Sequence, residues 1–161
     1  MSTDRPKKSF IGSLSYNGKP VCIEWVFKEG RGGYKRLVVN ANKSPTTFDF
    51  RWENDSYSMH VRDTTHEGQL VHLNSHGEIA VSPANEATNT EFDFSGFSPE
   101  LLQGDSIKLP ILVKPGQPIT LDIKTGAGVI VSSGEREKKI YFKTERTKPV
   151  AVFTLNVIER H

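Results

Sequence analysis

The chain has 161 residues, 35% of them hydrophobic, with nine Phe, four Tyr and two Trp and a net charge of +2; that suffices for one folded core and is too apolar for a disordered chain. Its single cysteine, Cys22, excludes an intramolecular disulfide and a multi-cysteine zinc site. No run approaches the ~18 apolar residues of a membrane-spanning helix, and the start MSTDRPKKSF lacks the apolar stretch of a secretory leader. The expectation is a cytoplasmic protein with a flexible basic arm over 1–8 and one domain over 9–161.

Two-residue alternation recurs along almost the whole chain, and helical spacing almost nowhere. Phe10 to Leu14 and Val21 to Phe27 flank Asn17-Gly18, a pair suited to a type I′ hairpin because both central residues take positive φ. That hairpin predicts Leu14 opposite Val21 and Phe10 opposite Trp25, all facing the core. A glycine-rich loop follows, then a strand near Tyr34 to Asn40 and another with Phe48, Phe50 and Trp52 on one side. Tyr57-Met59-Val61, Val71-Leu73, Ile79-Val81 and Phe92-Phe94 continue the alternation. In SPELLQG, Ser98 as cap, Pro99 at the first helical position and Gly104 at the stop predict one helical turn.

Ile107 to Val113 and Ile119 to Ile123 flank KPGQP, where Pro-Gly suits a type II bend. Ala127 to Thr144 reads as two strands joined by a charged loop. Pro149 to Glu159 reads as the longest strand. Its apolar set changes face between Val152 and Phe153, which predicts a bulge or cover on both faces. The sum is about eleven or twelve short strands at regular intervals, an all-β, antiparallel two-sheet sandwich of jelly-roll or immunoglobulin-like type.

Charge is uneven: residues 1–50 carry net +5, 51–105 net −8 and 106–161 net +5. The preferred reading interleaves these segments so that opposite charges meet across strands.

MHVRDTTHEGQLVHLNSHGEI holds four of the five histidines. Pairing Val61 with Val71 and Met59 with Leu73 places His60 opposite His72 on the other face. Ser75-His76-Gly77 then forms a three-residue loop with Gly77 left-handed, leaving His66 and His76 at loop tips. A metal needs three or four donors converging on one point, so His60 and His72 are subordinate metal candidates and no cofactor is expected.

Four groups remain. Arg31, Lys35 and Arg36 in KEGRGGYKR could offer cations beside a glycine-rich backbone to an anion, although the ending of a phosphate-binding Walker loop is absent. Tyr141, between Lys139 and Lys143, could meet an acidic or sugar ligand. Trp52 and Tyr57 flank ENDS, where Asn54 and Asp55 would complement sugar stacking. Trp25, sharing a face with Val21 and Ile23, reads as core.

No nucleophile motif is present. The reading is a non-enzymatic, lectin-like recognition domain that binds a carbohydrate or protein partner through loops at one end. One alternative is a cytolysin-like or membrane-surface protein contacting an anionic surface or lipid headgroups. Another is a metal-dependent enzyme on a jelly-roll scaffold. No specific nucleic acid is expected.

Overall fold

The computed structural model describes residues 8–28, 30, 32–94, 101–130 and 136–160. These form thirteen strands: β1 (Phe10–Tyr16), β2 (Lys19–Lys28), β3 (Gly32–Val39), β4 (Thr47–Glu53), β5 (Ser56–Val61), β6 (Leu70–Leu73), β7 (Ile79–Ser82), β8 (Phe92–Phe94), β9 (Ser106–Val113), β10 (Gln117–Pro118), β11 (Thr120–Ile130), β12 (Arg136–Lys143) and β13 (Val152–Arg160). Every ladder is antiparallel, and no helix occurs among the described residues. The all-β expectation holds. Most of the predicted arm, and Ser98 to Glu100 of the predicted helical turn, lie outside the described residues.

Four strands share one edge between two partners, among them β9, which pairs β13 through Ser106 to Pro110 and both β8 and β10 beyond it, and these forks set the topology. β1 pairs β2 through Ser15 and Tyr16 and β4 through Phe10 to Ser13, with β13 along its other edge. β3 pairs β7 through Lys35 and Arg36 and β12 through Val38 and Val39, with β2 along its other edge. β5 pairs β6 at His60 and β8 at Tyr57, opposite β4. Hydrogen bonding therefore closes two circuits, β1-β2-β3-β7-β6-β5-β4 and β1-β4-β5-β8-β9-β13. All thirteen strands belong to one sheet, so hydrogen bonding does not draw the expected division into two.

Alternation places one side of each strand inward. Phe10, Leu14, Phe48, Phe50, Met59, Ile79, Phe92, Leu109, Phe142, Phe153 and Leu155 are among the buried residues of a single hydrophobic cluster. Phe10 stacks on Phe50 at 4.7 Å, and Phe94 packs on Phe50 at 5.4 Å and on Tyr57 at 4.8 Å. Burying each such side chain contributes about 1.5–3 kcal/mol.

The Asn17-Gly18 hairpin is as expected, with φ 49° and 76° and Tyr16 opposite Lys19. It does not continue to Trp25. At the β1 fork Phe10 turns to Phe50, while Trp25 pairs with Lys35 and is 65% exposed.

Other corrections are local. Lys114-Pro115 is cis with Gly116 at φ 143°, in place of a type II bend. The longest strand is the eleven-residue β11, which unites two segments that the sequence reads separately. The register shift of β13 falls opposite Ile11 and Gly12, leaving Ile158 unpaired, and Val150 and Val152 face outward, about half exposed.

Candidate functional site

The β2–β3 hairpin outruns the core. Its register runs from Val21 opposite Val39 to Lys28 opposite Gly32, so Val21, Ile23, Trp25 and Phe27 share one face. Val21 and Ile23 are buried, whereas Trp25 is 65% and Phe27 84% exposed. Gly33 permits the indole to lie across β3, since a Cβ there would stand 3.0 Å from a Trp25 ring carbon. The Lys35 ammonium sits 5.6 Å from the Trp25 ring centroid and donates to the Gln69 side chain. Arg31, predicted to line this tip, lies outside the described residues.

Arg36, predicted as an anion contact, is instead 1% exposed. It fills the fork where β3 exchanges β7 for β12, on the face opposite Leu37. One guanidinium nitrogen donates to Asp122 at 2.8 Å and to the Phe142 carbonyl at 3.1 Å. The other faces Glu78 at 3.3 Å, which also accepts from the Tyr34 hydroxyl and the Asn74 amide, each at 3.0 Å. The guanidinium lies 4.6 Å from the Tyr141 ring centroid.

Tyr141, predicted as a ligand contact, is likewise buried, and burial raises its hydroxyl pKa. Its flanking lysines are engaged: Lys139 pairs with Glu24, and Lys143 with Asp122 and Glu145. Burial pushes the Asp122 carboxyl up, but the Arg36 hydrogen bond and the charges of Arg36, Lys124 and Lys143 outweigh it and hold it below the ordinary value. The cluster draws on all three charge segments: Arg36 from the first, Glu78 from the second, and Asp122, Lys124 and Lys143 from the third; of its pairs, Arg36–Glu78 joins a basic segment to the acidic one.

Trp52 and Tyr57 do come together, as cross-strand partners with ring centroids 4.9 Å apart. Between them Asn54 and Asp55 form a two-residue turn at φ 54° and 60°. The platform is already occupied. The Lys8 ammonium lies 4.3 Å from the Trp52 ring centroid. Tyr57 is buried, its hydroxyl donates to the Lys8 carbonyl at 2.9 Å, and burial pushes its pKa up to about 12. The Asp55 carbonyl accepts from the Lys114 ammonium.

The histidines do not converge. His60 stands opposite Leu70, and His72 opposite Ala80, a register two residues away from the predicted one. The turn sets it: Val61 donates to Gln69, Gly68 donates to Val61, and Asp63 accepts from the amides of Thr65 and His66.

His60 bonds Ser58. His72 bonds Ser82 through Nε2 and accepts the Thr88 amide at Nδ1. Burial lowers both imidazole pKa values. The Ser75-His76-Gly77 loop is as expected, with Gly77 at φ 77°. Among the described residues no group of three or more His, Cys, Asp or Glu is placed to hold a metal.

A cleft that the sequence does not single out opens between the β9–β10 turn and the β12–β13 connection. It has a volume of about 330 Å³ and is lined by Pro115, Gln117, Pro118, Arg146, Lys148 and Val150 among others. The two turns that form it, KPGQP and TERTK, are each visible in the sequence; their meeting depends on the Thr120–Val150 bridge. No protein-family model, curated protein or solved structure matches this chain.

Proposed function

We infer that this chain is a non-enzymatic recognition domain that docks onto a negatively charged lipid surface through the β2–β3 hairpin. The observation that carries the reading is the exposure of Trp25 and Phe27 on a strand face whose preceding residues, Val21 and Ile23, are core. Aromatic side chains suit the boundary between headgroups and acyl chains. The same hairpin carries Lys28, Arg31 and Lys35 against Glu29 in sequence. Burying the two rings would contribute about 3–6 kcal/mol, and each cation near an anionic leaflet about 1 kcal/mol. Docking is then weak, reversible and dependent on lipid charge. A cytosolic location would place the hairpin before the anionic leaflet. Among the described residues no helix is long and apolar enough to cross a membrane.

This reading is favoured over carbohydrate stacking at Trp52, because Lys8 covers that ring, and over a metal-dependent enzyme, because the His60 and His72 donors are engaged separately. Co-sedimentation with vesicles of phosphatidylcholine alone or mixed with phosphatidylserine tests it. Binding should appear only with phosphatidylserine, weaken as salt rises, and be lost in Trp25→Ser/Phe27→Ser. Protein left in the supernatant with both vesicles, or binding retained by the double variant, refutes it.

A further inference from the structure

We propose that the cleft between the β9–β10 turn and the β12–β13 connection binds a small organic anion, a carboxylate or phosphate carried on a compact apolar body. Its charge is the first argument. Glu145, the acidic residue of the lining, is committed to Lys143 at 2.5 Å and to the Thr147 hydroxyl at 3.1 Å. Arg146 and Lys148 are exposed and make no side-chain ion pair among the described residues. The lining therefore presents two cations outside any close ion pair among the described residues, with Lys148 also near enough to the Glu145 carboxylate to help hold its pKa down. A guanidinium can hold a carboxylate or phosphate by two parallel hydrogen bonds, and a neighbouring ammonium adds a point charge.

The floor is the second argument. Pro115, Pro118 and Val150 line the cleft, and Val150 is 46% exposed. Neutral polar groups stand beside it: the side chains of Gln117 and Thr144 are in the lining without a hydrogen bond among the described residues. Apolar surface beside fixed polar and charged groups is what a small-molecule site needs to hold an amphipathic ligand, and the volume of about 330 Å³ lies near the lower end for such sites. It suits a single ring with one anionic group better than an oligosaccharide or a nucleic-acid strand.

The third argument is that the walls are held. Thr120 donates its hydroxyl to the Lys143 carbonyl at 2.8 Å and accepts the Glu145 amide at 3.1 Å. The Leu121 amide donates to Pro149, and the Ala151 amide to Ile119. Arg146 and Lys148 thus project from a connection anchored on both sides, which limits the ordering cost of binding. The site is independent of the lipid-docking hairpin.

Amide chemical shifts of the full chain, titrated with phenyl phosphate, benzoate, inorganic phosphate and neutral benzyl alcohol, test the proposal. Phenyl phosphate and benzoate should produce saturable shifts centred on Gly116, Gln117, Thr144 and Lys148. Inorganic phosphate and benzyl alcohol should each bind at least tenfold more weakly, because each lacks one half of the recognition. Arg146→Gln/Lys148→Gln, at exposed positions, should keep the native spectrum and weaken phenyl phosphate at least tenfold. Benzyl alcohol or inorganic phosphate binding as tightly as phenyl phosphate overturns the proposal. So does unchanged affinity in the double variant, or shifts centred outside the cleft.

Discussion

Arg36 and Asp122 lie 86 positions apart in sequence and meet in the interior, with the guanidinium Nη2 2.8 Å from the carboxylate Oδ2. Both side chains are almost wholly buried. Leaving a buried charge without its partner costs about 3–5 kcal/mol. Arg36→Met takes the buried guanidinium from both Asp122 and Glu78, leaving Asp122 with the longer contacts to Lys124 and Lys143 and Glu78 with Tyr34 and Asn74, and should cost about 3 kcal/mol, the lower end of that range. Asp122→Asn leaves Arg36 with Glu78 and the Phe142 carbonyl, so it should cost less.

The pH dependence has a definite sign. Asp122 is depressed below its ordinary value of 3.8 in the folded chain, so the unfolded chain binds the proton more readily. The contribution is complete above the ordinary value and is lost as pH falls through the lower native one. Urea titrations should therefore show wild type and Asp122→Asn converging in acid. A constant difference across that window would separate the stability effect from the carboxylate charge.

A second prediction contrasts two sets of aromatics. Trp25 and Phe27 are exposed, so replacing either by Ser should change stability by no more than about 0.5 kcal/mol. Phe10→Ala or Phe50→Ala removes one of two fully buried, stacked rings and should cost about 3–5 kcal/mol. Denaturant midpoints check both. A large loss at Trp25 would show that the hairpin face is structural.

Much of this was legible because alternation reports which side of a strand faces inward. Phe48, Phe50, Met59, Val81, Leu109 and Leu155 follow directly from it. Alternation does not report how far a strand runs beyond the core, and Trp25 and Phe27 keep the pattern of Val21 and Ile23 past the rim. Nor does it show forks: nothing near Phe10 says that β1 leaves β2 for β4. Arg36 reads as a loop cation because its partners Glu78 and Asp122 lie far along the chain. The predicted His60–His72 pair fails because local bonds of Asp63, Gly68 and Gln69 set the turn length, and cross-strand partners follow from that length.

His72 supplies a third prediction. It lies against the segment after β7, accepting the Thr88 amide at Nδ1 while Nε2 meets the Ser82 hydroxyl. Protonation of Nδ1 removes the acceptor. Burial lowers the native pKa below the ordinary 6.5, so the unfolded chain again binds the proton first. The stabilisation is present above the ordinary value and is lost as pH falls toward the native one. Imidazole shifts should place His72 below 6.5, and Thr88 amide exchange, corrected for its intrinsic pH dependence, should accelerate through the same interval. Unaltered Thr88 protection after His72 titrates would refute this coupling.

Gly12 supplies the last. It stands where the β1–β13 register shifts, with Ile11 opposite Glu159 and Gly12 opposite Val157. A Cβ at this position would lie 2.6 Å from the Asn156 carbonyl oxygen. That neighbour is backbone within a ladder, so relief requires β1 and β13 to separate. Gly12→Ala should cost about 1–3 kcal/mol, the range for a forced insertion into a packed interior. At Gly68 a Cβ meets nothing within 4 Å, and only the φ of 81° opposes it. Gly68→Ala should therefore lower stability while leaving the β1–β13 amides protected, whereas Gly12→Ala should expose the amides of Leu155 to Val157 to exchange. Equal protection of those amides in the two variants would mean that the close approach is not what requires glycine at position 12.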